Sequence, residues 1–268
     1  MPSADHPAIS CLTVTQEGRL AELTDAVTCY AAQTQPGREL IIVHDGGADF
    51  DRDVRALAAG SPGAPVEVVR FDPGLSLGAL RNMALAEARG DVVCQWDDDD
   101  LYHPKRLEMQ HRRLVENEAD ASFLTDQLHL FLPRGELFWD DWTKERFPMC
   151  LIQGTMMARR SRLGAYPEVA RGEDTTVMLD LVRAGARVVA IQQLAWLYVY
   201  VFNGRNAWPE GHHRDISDWK AVTGPRLVEE APVLAARLAE YPIAPRQVLM
   251  PHDGGSIEMR IGSDTNLS

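Results

Sequence analysis

Four consecutive aspartates, Asp97 to Asp100, stand between an apolar run and a proline in CQWDDDDLYHP. Two carboxylates ~5 Å apart repel by roughly 3 kcal/mol at an effective dielectric near 20. Such a run asks for a counter-charge. Mg2+ and Mn2+ take oxygen ligands, and use only one or two carboxylates when a substrate phosphate completes the shell. A bound cation turns the repulsion into attraction. The plainer alternative is a solvated acidic loop leading into the next helix, since acids favour helix N-termini. The position of the run, straight after DVVCQW, favours the cation. On a strand Asp97 and Asp99 face one way and Asp98 and Asp100 the other, until the chain turns.

Other residues carry chemistry of their own. Asp45 follows the apolar ELIIV and precedes Gly46-Gly47. It could accept hydrogen bonds from a nucleobase or ribose, or simply bond its own turn. Arg81 offers a planar fork suited to phosphate. Glu173-Asp174 opens a helix-like segment, and a carboxylate there could act as a general base on a hydroxyl; the helix dipole alone would also favour acids at that place. His212-His213 lies in a polar stretch and offers either a metal ligand or a solvated pair.

These residues need elements to hold them. AISCLTVT (8–15) reads as a strand ending at Thr15, 19–33 as a helix, and 37–47 as a second strand. A helix follows at 51–59 and a third strand at 65–71. Ser76 caps a helix to about Arg89, ended by Gly90. DVVCQW (91–96) is the fourth strand, and Pro104 opens a helix to about Asn117. Such alternation predicts a mostly parallel sheet with helices on both faces. Ligands of such sheets bind beyond the carboxyl ends of the strands. Thr15, Asp45 and the aspartate run all fall there.

The later chain is less regular. Strands are expected at 121–125, 128–132, 151–158, 187–193 and 196–202, with a turn and short strand at 135–142 and a helix at 173–184. Residues 203–218 read as a polar mobile loop. A helix at 225–240, kinked or broken at Pro232, precedes a hairpin around Asp253-Gly254-Gly255. GSDTNLS at the end reads as disordered.

Of the 268 residues, 45% are hydrophobic, and the net charge is −12. That acidity argues against a nucleic-acid or anionic-lipid footprint. No stretch approaches the ~20 apolar residues of a membrane span. The N-terminus shows no secretory signal, and the four cysteines form no CxxC pair, so buried thiols and a cytoplasmic setting are expected. Walker A, HExxH and GxGxxG motifs are missing from the sequence.

Taken together, the ordered segments ISCLTVT, AVTCYAAQTQPGRELIIVHDGG, SLGALRNMALAEARGDVVCQWDDDDLYHPKRLEMQ, QGTMMARRSRLGAY and GEDTT resemble the family 2 glycosyltransferases over roughly residues 8–208. The resemblance implies the α/β GT-A fold, a Rossmann-like, mostly parallel sheet flanked by helices. Residues 1–120 would form the nucleotide-sugar half, 121–224 the acceptor half, and 225–268 a small helix and hairpin extension. It implies a metal-dependent, inverting, hexosyltransferase-type enzyme that moves a sugar from a nucleotide diphosphate, UDP above all, to a hydroxyl. Thr15, Asp45, Arg81, Asp97 and Asp98 would contact the donor. Asp99, with Asp98, would hold Mn2+ or Mg2+. Asp174 would be the base, with Glu173 orienting it, and Gly154 would let the acceptor approach. Asp100 is expected only to cap the next helix. Asn203 stands where the family often has histidine, so His212 or His213 is expected to supply the missing contact. His44 replaces a common aspartate, and Gln16-Glu17-Gly18 replaces a Tyr-Asn pair.

The partners implied are a sugar nucleotide and a glycan or small-metabolite hydroxyl, with neither nucleic acid nor a membrane span. The terminal hairpin suggests a homodimer. Two other classes compete. One is a non-catalytic nucleotide- or sugar-binding protein on the same fold. The other is an aspartyl phosphohydrolase, which Leu101-Tyr102 fits poorly.

Overall fold

The computed structural model describes residues 7–261 apart from 62, 64 and 170; the expectation of a disordered GSDTNLS tail lies outside these. Strands β1 (Ile9–Thr15), β2 (Arg38–His44), β3 (Val66–Arg70) and β4 (Val92–Gln95) run parallel, with β4 beside β1, β1 beside β2 and β2 beside β3. Helices α1 (Leu20–Ala31), α2 (Ala48–Ala59) and α3 (Leu77–Glu87) connect them. The central strands are mainly apolar because both faces are covered. Alternate residues serve alternate cores. Ile9, Cys11, Leu40, Ile42, Val92 and Cys94 pack with α1 through Leu23, Val27 and Tyr30. Leu12, Ile41, Val43 and Val93 pack with α3 through Leu80 and Ala84.

The chain continues through β5 (Leu101–Tyr102), α4 (Arg106–Glu116), β6 (Ala121–Leu124), β7 (Asp126–Phe131), β8 (Glu136–Asp141), β9 (Met157–Arg159), α5 (Glu173–Arg183), β10 (Val188–Ile191), β11 (Tyr198–Phe202), α6 (Glu210–Lys220), α7 (Gly224–Leu238), β12 (Gln247–His252) and β13 (Gly255–Arg260). Two sheets result. Seven strands lie in the order β10-β6-β9-β4-β1-β2-β3, and six in the order β13-β12-β8-β7-β11-β5. The expected α/β arrangement, with a mostly parallel first sheet flanked by helices, is the one found.

One juncture matters most. β4 belongs to the first sheet, and β5 pairs antiparallel with β11 in the second. Asp97 to Asp100 are therefore the crossing between two sheets.

Several expectations need correction. Residues 203–218 are not one loop, since α6 begins at Glu210. LIQGTMMA is not a strand: a 3-10 turn at Gln153–Thr155 leads into the short β9. The 135–142 segment is a full six-residue strand paired with β7. Helix α4 starts after Pro104, with Lys105 before its first turn. Pro232 sits inside α7, which is continuous around it. The hairpin is present, and its β12 joins β8, so the extension is part of the second sheet. Among the described residues no helix is long and apolar enough to cross a membrane.

Candidate active site

The crossing is built on an aromatic floor. Trp96 is fully buried and stacks on Tyr102, with ring centroids 3.8 Å apart. The buried Arg106 guanidinium lies over Trp96, Tyr102 and Tyr198 and donates to the Gln95 carbonyl at 3.1 Å. A guanidinium is weakly enough hydrated to sit under such rings. Tyr102 donates its hydroxyl to the Asp97 carbonyl at 2.9 Å.

Each aspartate has its own partners. Asp97 accepts from Arg81 at 2.9 Å and from Gln95 at 2.9 Å. Asp98 is 2% exposed and accepts from Arg19 at 2.8 Å, while its Oδ2 is buried without a partner. Asp99 lies 3.2 Å from the same Arg19 nitrogen and 3.5 Å from the Asn206 amide. Asp100 accepts from the Tyr198 hydroxyl at 2.5 Å and from the Val201 amide at 2.9 Å. The expectation that Asp100 caps the following helix is therefore wrong; it fastens the crossing to β11.

Charge crowding shows in the acidities. Burial raises Asp98, with Arg19 opposing. Burial and the neighbouring Asp98 push Asp99 up to about 7. Burial and Asp99 raise Asp100 well above the carboxylate range. Free aspartates titrate near 4, so the folded state holds the Asp99 proton more tightly than the unfolded chain does. That contribution is fully present below pH ~4 and is lost as pH rises through about 7. Buried His103 and His213, lowered to about 4, act in the opposite sense below the free histidine value of ~6.5. The clean window is therefore pH 6.5 to 8. There the protein without added metal should lose ~1 kcal/mol, or about 2–4 °C in Tm, relative to Asp99→Asn. Calorimetry of both proteins checks this; parallel curves would contradict it.

The helix α5 brings the second acidic element. Gly172 takes a left-handed φ of 77° immediately before Glu173. Glu173 is 3% exposed and accepts from Arg81 Nε at 3.0 Å. Burial raises Asp174, with Arg81 opposing. Asp174 accepts from the Thr175 amide at 2.6 Å. Arg81 thus holds Asp97 with one nitrogen and Glu173 with another, joining two motifs 76 positions apart in the chain. The sequence marks Arg81 as a phosphate ligand; its place here is that of a clamp between carboxylates.

The base end of the sheet is organised differently. Thr15 closes β1, and its buried hydroxyl lies near Asp98, where it opposes the rise of that carboxyl. Asp45 accepts from the Gly74 amide at 2.9 Å. His44 is buried and contacts Asp51 at 3.2 Å, while its Nδ1 accepts from Gly46 at 3.3 Å. It shapes the Asp45-Gly46 turn from behind.

Two further expectations fail. A Cβ on Gly154 would lie 2.8 Å from the Tyr198 hydroxyl and 3.4 Å from Asp97 Oδ2. The close approach is made by the protein's own tyrosine and not by an acceptor. Gly154→Ala should push Tyr198 off the buried Asp100 and cost about 1–3 kcal/mol in chemical denaturation. His212 is exposed and stacks on Trp208 at 4.6 Å, and Arg171 sits over that indole. It is not gathered with the aspartates, and no group of three or more His, Cys, Asp or Glu is poised for a metal among the described residues. His213 is buried against His129, Tyr200 and Phe202.

A divalent cation at the crossing would be held by Asp98 and Asp99. Two carboxylates, one with a buried unpartnered oxygen, suit Mg2+ or Mn2+ when a diphosphate completes the shell. The residues fit the ion. Arg19, Arg106, Tyr198 and Asn206 are site residues that sequence reasoning missed. Arg106 lies within the most diagnostic segment and follows Pro104 by two. For Arg19, 79 positions from its partner, no sequence signal exists.

Known glycosyltransferases resemble this chain in sequence and fold. Residues 11–126 match the model for glycosyl transferase family 2. The chain is 27% identical over 215 residues to the putative teichuronic acid biosynthesis glycosyltransferase TuaG of Bacillus subtilis (strain 168), covering 75% of this chain and 83% of that protein. It is 30% identical over 106 residues to the uncharacterized glycosyltransferase YwdF of the same organism, covering 40% and 38%. Among solved structures it superposes on S. aureus TarS 1–349 in complex with UDP-GlcNAc with a TM-score of 0.59 at 17% identity, covering 88% of this chain and 67% of that one. It also superposes on the mannosyltransferase PcManGT from Pyrobaculum calidifontis, in complex with GDP-Man and Mn2+, with a TM-score of 0.59 at 15% identity, covering 87% and 70%.

Proposed function

We propose, from the premise that residues 11–126 are a glycosyl transferase family 2 segment within a GT-A fold, that this glycosyltransferase moves a hexose from a UDP-sugar to a hydroxyl with inversion. The observation that carries the reading is the Arg81 clamp, which holds the aspartate crossing and the Glu173-Asp174 helix start in one rigid unit. A leaving-group site and a base site must keep a fixed separation for single displacement, and a shared guanidinium enforces it. TarS, solved with UDP-GlcNAc, supports UDP as the nucleotide. The Mn2+ in the mannosyltransferase neighbour supports a divalent ion.

Each residue then has a task. Thr15 and Asp45, at the ends of β1 and β2, would hold the nucleoside. Asp98 and Asp99 would hold Mn2+ or Mg2+, which supplies Lewis-acid stabilisation of the departing diphosphate. Asp174 takes the proton from the acceptor hydroxyl on the opposite face of the sugar. Its raised pKa makes it a better proton acceptor than a free aspartate, and the Arg81 charge tempers that rise. Asn206 and Arg205, the latter ion-paired with Glu22, fold the 203–209 segment over Asp99, where it would exclude water. A cytoplasmic setting fits the use of a sugar nucleotide. A homodimer would use β13, an edge of the six-stranded sheet.

The test is a panel of UDP- and GDP-sugars with glycan acceptors and Mn2+, with proton NMR reading the anomeric configuration of the first product formed. A product of inverted configuration from a UDP-sugar is expected. Retention, or transfer from GDP-sugars alone, would overturn the corresponding part.

A further inference from the structure

The Asp98–Asp99 pair already has a cation. Arg19 Nη1 stands 2.8 Å from Asp98 Oδ1 and 3.2 Å from Asp99 Oδ2, so one nitrogen serves both carboxylates. The Arg19 side chain is 20% exposed, against 3% and 14% for its partners. Nothing in the helix asks for it. Arg19 immediately precedes α1, where the macrodipole is positive and a cation is disfavoured. The turn that aims it is pinned on both sides. Glu17 accepts from the Gly47 amide at 2.6 Å, and Arg205 donates to the Gly18 carbonyl at 3.0 Å. Gly18 itself takes a φ of 86°, which glycine adopts without strain.

We propose that Arg19 is the protein's own counter-cation for Asp98 and Asp99, and that it competes with the divalent ion for them. This rests on the reading of that pair as the metal site. Guanidinium and metal draw on the same two carboxylates and carry the same sign of charge, so each weakens the other. The metal then binds firmly only when a diphosphate adds ligands and negative charge. Arg19 makes metal loading conditional on the donor.

The experiment is Mn2+ binding, read from the free-ion EPR signal, for wild type, Arg19→Gln and Arg19→Lys, with and without UDP. Without nucleotide, Arg19→Gln should bind Mn2+ about tenfold more tightly than wild type, within the usual range of such couplings. Arg19→Lys, which keeps the charge, should stay near wild type. UDP should raise the wild-type affinity more than that of Arg19→Gln. An unchanged or weaker Mn2+ affinity in Arg19→Gln overturns the proposal. An undiminished free-ion signal in every protein, with and without UDP, overturns the metal reading itself and the proposal with it. A second measurement needs only folded wild type. The Arg19 side-chain Nε–H resonance, assigned by its loss in Arg19→Lys, should shift on Mg2+ addition with UDP. A resonance unmoved at saturating Mg2+ overturns the competition.

Discussion

Asp174→Asn should lower kcat for transfer by about 10²–10⁴-fold, the range a positioned general base supplies. The amide cannot take the acceptor proton, yet it fills the same space at the start of α5. Donor binding should change little, because Asp174 bonds only locally, to the Thr175 amide and hydroxyl. The loss should therefore sit in kcat and leave the donor KM close to wild type. Steady-state rates with a fixed acceptor check this. A variant with full kcat would remove Asp174 from the mechanism. The remaining pH dependence offers a second reading. In wild type, activity should fall on acidification through an apparent value above that of a free aspartate, because burial raises Asp174. Removing the Arg81 charge should move that acid limb to still higher pH, because Arg81 is the cation that opposes the rise.

Asp99→Ala should be as severe, by a different route. It removes one of two carboxylates that would hold the cation, and the Lewis-acid contribution to a departing diphosphate is worth several kcal/mol. Each 1.36 kcal/mol is a factor of ten, so a loss of about a thousandfold or more in kcat/KM is expected. The protein itself should be no less stable. Asp99 has only Arg19 at 3.2 Å and the Asn206 amide at 3.5 Å, and burial with the neighbouring Asp98 pushes its carboxyl up to about 7. Asp100→Ala should show the reverse pattern, since it strips Tyr198 and Val201 of a buried acceptor and damages folding first. Activity and melting temperature measured on both variants separate the two roles.

The parallel half of the fold was legible because its physics is local. β1, β2 and β4 are covered on both faces, so they read as mainly apolar runs, and Ser76 caps α3 as expected. Helix α6 was not legible, for a specific reason. Its buried face is His213, Ser217 and Lys220, polar at helical spacing, so hydrophobic periodicity never sees it. β5 escaped because two residues become a strand only through pairing with β11, far along the chain. The short β9 replaced an expected longer strand because Gly154 is committed to contact with Tyr198 and Arg106.

The candidate site divides the same way. The aspartate run, Arg81 and Glu173-Asp174 could be named from residue type and position after a strand or before a helix. What they touch could not. Arg81 looked like a phosphate ligand because arginine usually suits phosphate; its pairing with a carboxylate 92 residues away is a tertiary fact. His212 looked available because it is polar and adjacent to a second histidine, but Trp208 holds its ring. The four aspartates appeared as one liability and turn out to be four separate solutions. Asp97 is clamped by Arg81, Asp98 and Asp99 share Arg19, and Asp100 is tied into β11.

The central claim is that Asp98 and Asp99 hold a divalent cation together with the diphosphate of UDP. Isothermal titration of UDP into the wild-type protein, once with Mn2+ and once with chelator, tests it most directly. Saturable UDP binding that needs Mn2+, and that disappears in Asp99→Ala, is the predicted result. UDP binding of equal strength in chelator, or binding retained in Asp99→Ala, would contradict it.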